Sequence, residues 1–295
     1  MAGQKVKVLF DTDIGTDIDD ALALAYLLSQ PRCELLGITT ATGEPDKRAE
    51  LASAVCRNAG RDDVPIHVGA PQAMLIEMRQ KQAQQARALG AWSRRTDFPP
   101  GTAVEFMRRT IRAHPGEVTL LAVGPMTNVG LLFAADPEVP AMLKQLVLMC
   151  GRFFGAMGGE WNAIGDPHAT AIVYGNGSQM RPPRHISFGL DVTARCTMPA
   201  DECRRRFTAK ALAPVRDFAE VWFQQRDRVT FHDPLAAACV FEPDLCACRQ
   251  GKVTVSLTPP TLGWTVFAPA PDGPHAVAAD VDPERFLTHY FDHVK

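Results

Sequence analysis

KVKVLFDTDIGTDIDDALALAYLL, residues 5–28, reads as strand, acidic loop and helix in succession. Lys5–Phe10 is a short apolar run, as a buried strand requires, and Asp11 and Asp13 end it at once. Asp19–Leu28 is built from good helix formers and is apolar nearly all round, which predicts a buried helix. Pro31 follows its end. Outward from there the alternation continues: Cys33–Thr40 as strand, Asp46–Asn58 as helix, Ile66–Val68 as strand. Glu117–Val123, Gln145–Met149 and His185–Leu190 read as further strands. Thr127–Ala134, Pro167–Tyr174 and Pro234–Phe241 read as helices between and after them. Strands joined by helices at this spacing predict parallel pairing through crossovers. The expected fold is therefore α/β, a mostly parallel central sheet with flanking helices, open and Rossmann-like. Apolar strands around Val253–Leu257 and Thr265–Phe267 and a helix Glu284–His293 close the chain. No linker is visible, so residues 1–295 are expected to form one domain.

Composition excludes several classes. The 295 residues are 46% hydrophobic and 22% charged, which is ordinary globular usage and not that of disordered chains. Lys and Arg number 31 against 33 Asp and Glu, so no strong field recruits nucleic acid. The stretch 77–112 is locally basic, eight basic residues against three acidic, but no aromatics interleave them. It reads as a solvated helix and mobile loop. No run of 18 apolar residues exists and the apolar start is too short for an export signal, so a cytoplasmic protein without membrane contact is expected. Eight scattered cysteines are then expected to be reduced. Cys246-x-Cys248 has no second Cys/His pair at zinc spacing and is not read as a metal site.

The acidic loop carries the chemistry. Asp11, Asp13, Asp17, Asp19 and Asp20 fall within ten positions, at the carboxyl end of a strand, where open parallel sheets bind ligands. Helix capping and the macrodipole account for one or two of these carboxylates, not five. An oxygen-rich set suits a hard cation, Ca²⁺ or Mg²⁺. The spacing is not that of an EF-hand. Two further segments stand out: Phe231-His232-Asp233-Pro234 opening an Ala-rich helix, and Glu160-Trp161-Asn162 followed by Asp166-Pro167-His168. Either alone reads equally as structural.

Taken in order, DTDIGTDIDDALAL, GITTATGE, AVGPMTN, EWNAIGDP, FHDPLAA and a late GWTV resemble the inosine–uridine-preferring nucleoside hydrolases over nearly the whole chain. The resemblance implies Ca²⁺-dependent cleavage of the N-glycosidic bond of ribonucleosides, by a homodimer or homotetramer. It implies Asp13, Asp20, Asp233 and the main-chain carbonyl of Thr127 as metal ligands, and Asp13 as acceptor of a proton from the attacking water. It implies Asp19, Glu160 and Asn162 on the ribose, Met149 in the substrate site and His232 beside the leaving base; Glu44, an acid that this chain adds near the pocket, is expected to contact substrate there. These roles fit the chemistry. Carboxylates stabilise an oxocarbenium-like sugar, a cation and a base activate water, and an ordinary histidine pKa of ~6.5 suits proton donation.

The sequence departs from the family pattern at four places. Ile14 and two extra residues sit in the acidic loop, so that Asp17 competes for a role. Glu44 follows Gly43 where the family has asparagine. Phe153 and Phe154 occupy a stretch that often holds another asparagine. No histidine loop is recognisable in 71–100. Two other readings compete: a haloacid-dehalogenase-like phosphatase, from the Asp-x-Asp after the first strand, and a nucleoside- or sugar-binding protein without activity. The first lacks a placeable lysine.

Overall fold

The computed structural model describes residues 5–155, 158–175 and 184–295. Eleven strands form in chain order: β1 (Val6–Thr12), β2 (Cys33–Thr40), β3 (Ile66–Val68), β4 (Val118–Ala122), β5 (Gln145–Met149), β6 (His185–Phe188), β7 (Thr197–Pro199), β8 (Arg228–Thr230), β9 (Cys246–Val255), β10 (Thr265–Pro269) and β11 (His275–Val281). Nine of them make one sheet, in the order β10-β9-β11-β6-β5-β4-β1-β2-β3, and β7 pairs with β8 separately. From β3 to β11 the strands run parallel, while β9 is antiparallel to both its neighbours.

The apolar strands are buried on both faces, as a parallel sheet between helices demands. Val8 and Phe10 of β1 and Val147 and Met149 of β5 face one core, with the helices Asp19–Ser29, Pro45–Asn58 and His232–Cys239. Leu9, Leu146 and Leu148 face the other, with Ala103–Ala113, Thr127–Ala135 and Pro167–Val173. Strand order reverses around β1: β2 lies on one side of it and β4 on the other. That reversal opens a crevice at the carboxyl ends of the strands, and the acidic loop falls into it.

The expected alternation is present through β6. The C-terminal part differs. β9 begins at Cys246 and not at Val253, and β11 was not expected at all. The segment read as solvated helix and mobile loop is instead a packed strap. Gln84–Ala91 is a 3-10 stretch, and Met78, Gln80, Ala83, Gln85 and Leu89 are buried. The physical reason is that it covers the acidic loop: the Gln85 main-chain N–H donates to the Gly15 carbonyl, and its side-chain amide donates to the carbonyls of Thr16 and Asp17. All eight cysteines are unbridged. Among the described residues, no helix is long and apolar enough to cross a membrane.

Candidate active site

Two helix N-termini meet at the crevice. Asp19 and Asp20 open the helix Asp19–Ser29, Asp233 sits in the first turn of His232–Cys239, and the Asp233 N–H donates to Asp19 Oδ2 at 3.1 Å. The positive ends of both helices favour carboxylates there. Asp13, just beyond β1, joins them; its N–H donates to Asp20 Oδ1, which also accepts from Thr12 Oγ1. Glycine is required opposite: a Cβ on Gly124 would lie 2.8 Å from Asp13 Oδ1.

These groups line a cavity of about 290 Å³ with Asp17, Gln80, Val123, Met149, Glu160, Trp161, Asn162, Trp222, Arg226 and His232. Glu160 caps the helix Trp161–Gly165, and its carboxylate accepts from the N–H groups of Gly151, Asn162 and Ala163. Asn162 Nδ2 donates to the carbonyls of Val123 and Met149, which leaves its Oδ1 as the acceptor for a ligand.

Several expected residues fall elsewhere. Asp11 is not in the cavity. Its Oδ1 accepts from Thr39 and Asn128, tying β1 to β2 and to the helix Thr127–Ala135. Glu44 points away: it pairs with Lys47 and accepts the Ala83 N–H, so it anchors the strap instead of facing substrate. Thr127 does not line the cavity. Its hydroxyl donates to Asp166, and of the chain just after β4 it is Val123, not Thr127 with its expected ligating carbonyl, that lines the cavity. Gln80, Trp222 and Arg226 were missed: Gln80 lies in irregular chain, and Trp222 and Arg226, at and beyond the end of the amphipathic helix Ala213–Trp222, belong to no motif.

The acidic groups suit a hard cation. Ligand oxygens of Asp19, Asp20 and Asp233 lie within 4.8 Å of one another. Burial pushes all three well above the ordinary carboxylate range, and repulsion from neighbouring carboxylates, Asp13 and Asp17 among them, pushes them further. Asp13 is also raised by burial, and Asp17 rises to about 6. The buried guanidinium of Arg48 lies beside Asp13 and Asp20, but its N–H groups are spent on carbonyls of Asp13, Ile14 and Thr42. Arg48, and Arg226 beside Asp17 in the cavity wall, therefore offset part of the charge, and a hard divalent ion fits what remains.

This has a measurable consequence. A raised carboxylate pKa means the folded state binds protons more tightly than the unfolded chain, so stability falls as pH rises between the two values. For the cavity carboxylates those values run from ~4 unfolded to about 6 for Asp17, with Asp19, Asp20 and Asp233 also raised. In chelator, the melting temperature is expected to drop by ~5 °C or more from pH 5 to pH 8. A saturating hard divalent cation is expected to remove most of that drop, which scanning calorimetry reads directly.

Burial lowers the His232 pKa to about 4, away from the ordinary value expected from sequence. Its Nδ1 lies 2.7 Å from Thr193 Oγ1, whose own proton goes to the Gly189 carbonyl. Nδ1 is then the protonated nitrogen of the neutral ring.

Comparison with known proteins agrees with this geometry. Residues 8–288 match the model of the inosine-uridine preferring nucleoside hydrolase family. Uridine nucleosidase 1 of Arabidopsis thaliana is 28% identical over 289 residues, covering 90% of this chain and 82% of that protein. The pyrimidine-specific ribonucleoside hydrolase RihA of Citrobacter koseri is 30% identical over 281 residues, covering 85% and 86%. Among solved structures, a purine-preferring ribonucleoside hydrolase from Gardnerella vaginalis superimposes with a TM-score of 0.84 at 24% identity, covering 98% of both chains. A plant nucleoside hydrolase gives 0.80 at 23%, also over 98% of both. The phosphatase reading is overturned by the family match, and no lysine is among the cavity-lining residues.

Proposed function

The chain belongs to the inosine-uridine preferring nucleoside hydrolase family, and we propose that its carboxylate-lined cavity hydrolyses the N-glycosidic bond of a ribonucleoside in a Ca²⁺-dependent reaction. The observation that carries this is the convergence of Asp13, Asp19, Asp20 and Asp233 with Glu160 and Asn162 around one cavity. Uridine is the first candidate substrate, since relatives in sequence carry uridine and pyrimidine names.

Asp19, Asp20 and Asp233, whose carboxylate oxygens cluster, would hold the cation, with Asp13 beside them in the same cavity as a further ligand. Bound there, Ca²⁺ would supply a Lewis acid that lowers the pKa of water. Asp13 takes the proton of the attacking water on its carboxylate. Asp19, Glu160 and Asn162 hold the ribose, Asn162 through Oδ1. Glu160 is fixed by three main-chain N–H groups, so its charge is in place before the sugar becomes cationic. Met149 forms part of the wall beneath Asn162. His232 lies near the departing base.

The test is a panel of uridine, cytidine, inosine and adenosine, with 2′-deoxyuridine as control and released base resolved by chromatography. Free base from at least one ribonucleoside, with the deoxynucleoside slower by ~10²-fold, is expected from loss of the hydroxyl contacts. Tight nucleoside binding without base release would support the inactive-binder reading and contradict this one.

A further inference from the structure

Gln80 lies on the strap, is buried, and lines the cavity. Its Nε2 donates to Asp13 Oδ2 at 2.5 Å, and its Oε1 accepts from Trp161 Nε1 at 2.6 Å. The orientation of this amide is dictated by its partners. An ionised carboxylate only accepts and an indole N–H only donates, so the reverse orientation would oppose both. The strap backbone around Gln80 is itself tied to the acidic loop: Thr16 Oγ1 donates to the Gln82 carbonyl, and the Gln85 N–H to the Gly15 carbonyl. Trp161 is 49% exposed and follows Glu160, the cap of the opposite wall. Trp161, Gln80 and Asp13 therefore form one hydrogen-bonded chain across the cavity from the start of the helix Trp161–Gly165 to the loop after β1.

We infer that Gln80 is a positioning residue for Asp13 and that Trp161 acts through it. The inference rests on the hydrolase reading above. The amide occupies one lone pair of Oδ2 and fixes the rotation of the carboxylate, so that the remaining lone pairs face the attacking water. Without the amide, Asp13 keeps its main-chain position but loses its preferred side-chain rotation. Trp161 holds the amide in the donating orientation, and replacing its indole N–H frees Gln80 to turn its oxygen toward Asp13, where it repels.

The test compares Gln80→Met, close in shape and without the amide, with Trp161→Phe and the double variant on the best ribonucleoside. For Gln80→Met, kcat is expected to fall ~10-fold or more with KM within about twofold, because orientation and not binding is lost. Trp161→Phe falls less, and the double variant is no slower than Gln80→Met alone, since both lie on one chain. In the substrate-free protein, the Trp161 indole N–H resonance in a ¹H–¹⁵N spectrum should move on Gln80→Met. A KM effect with unchanged kcat, additive losses, an unmoved indole resonance, or wild-type kinetics would overturn the inference. Trp161→Phe, at a half-exposed position, keeps the test decisive if Gln80→Met folds poorly. Failure of the hydrolase reading looks different: the wild-type protein then releases no base from any ribonucleoside.

Discussion

Asp13→Asn is expected to lower kcat by ~10²–10⁴-fold while leaving the fold intact, because loss of a general base carries that weight. The amide keeps the shape of the carboxylate and an oxygen beside Asp20, but it cannot take a proton. Its neighbours would be disturbed little: Gln80 Nε2 can still donate to the amide oxygen, and Gly124 still leaves room for the group. Asp13→Ala should be at least as slow, losing the base and a cation ligand together. Steady-state rates on the best ribonucleoside, with Ca²⁺ held saturating, separate the two effects. An Asn variant keeping more than about a tenth of wild-type kcat would remove Asp13 as the proton acceptor.

The second large effect concerns His232. If it protonates the departing base, His232→Ala slows natural nucleosides by ~10²-fold or more and barely slows a nitrophenyl riboside, whose aglycone leaves unaided. The structure adds a pH signature. Burial holds the His232 pKa at about 4, so at neutral pH only a small fraction of the ring is protonated. That fraction rises as pH falls. The rate ratio of natural to activated substrate should therefore climb ~10-fold per pH unit from 7 to 5, and the ratio cancels the protonation of Asp13, which both substrates share. In His232→Ala the ratio should be flat. Equal loss on both substrates, with weaker Ca²⁺ binding, would instead make His232 a support for Asp233.

Much of this was legible in the one-dimensional chain. The parallel strands announce themselves because they are mostly buried on both faces and so mostly apolar; Cys33–Thr40, Ile66–Val68 and Gln145–Met149 take the bounds their sequences suggest. The acidic loop was legible because five carboxylates exceed what helix capping needs. Which of them turn inward was not. Asp11 still lies within β1, in register with Thr39 and Ala122, so Thr39 and Asn128 reach its carboxylate. Asp13 lies beyond the strand end, open to the crevice. Glu44 is close to the site in sequence, but Lys47, three residues on, and the Ala83 N–H turn it toward the strap. The first half of β9 escaped notice because Ala247–Gln250 is exposed and shows no alternation. Gln80 could not be found from sequence: it sits in irregular chain, and its role exists only because a strap some 65 residues downstream folds back over the acidic loop.

The central claim is that this cavity uses a bound cation and Asp13 to hydrolyse a nucleoside. Its most direct test follows base and free ribose together, on one ribonucleoside, as Ca²⁺ is removed by chelator and restored. The account predicts equimolar base and ribose from the Ca²⁺-loaded wild-type protein, loss of both on chelation, recovery on adding Ca²⁺, and release of both slowed by ~10²-fold or more in Asp13→Asn at any Ca²⁺ concentration. Undiminished release of base and ribose in chelator, or equal release by Asp13→Asn, would contradict it.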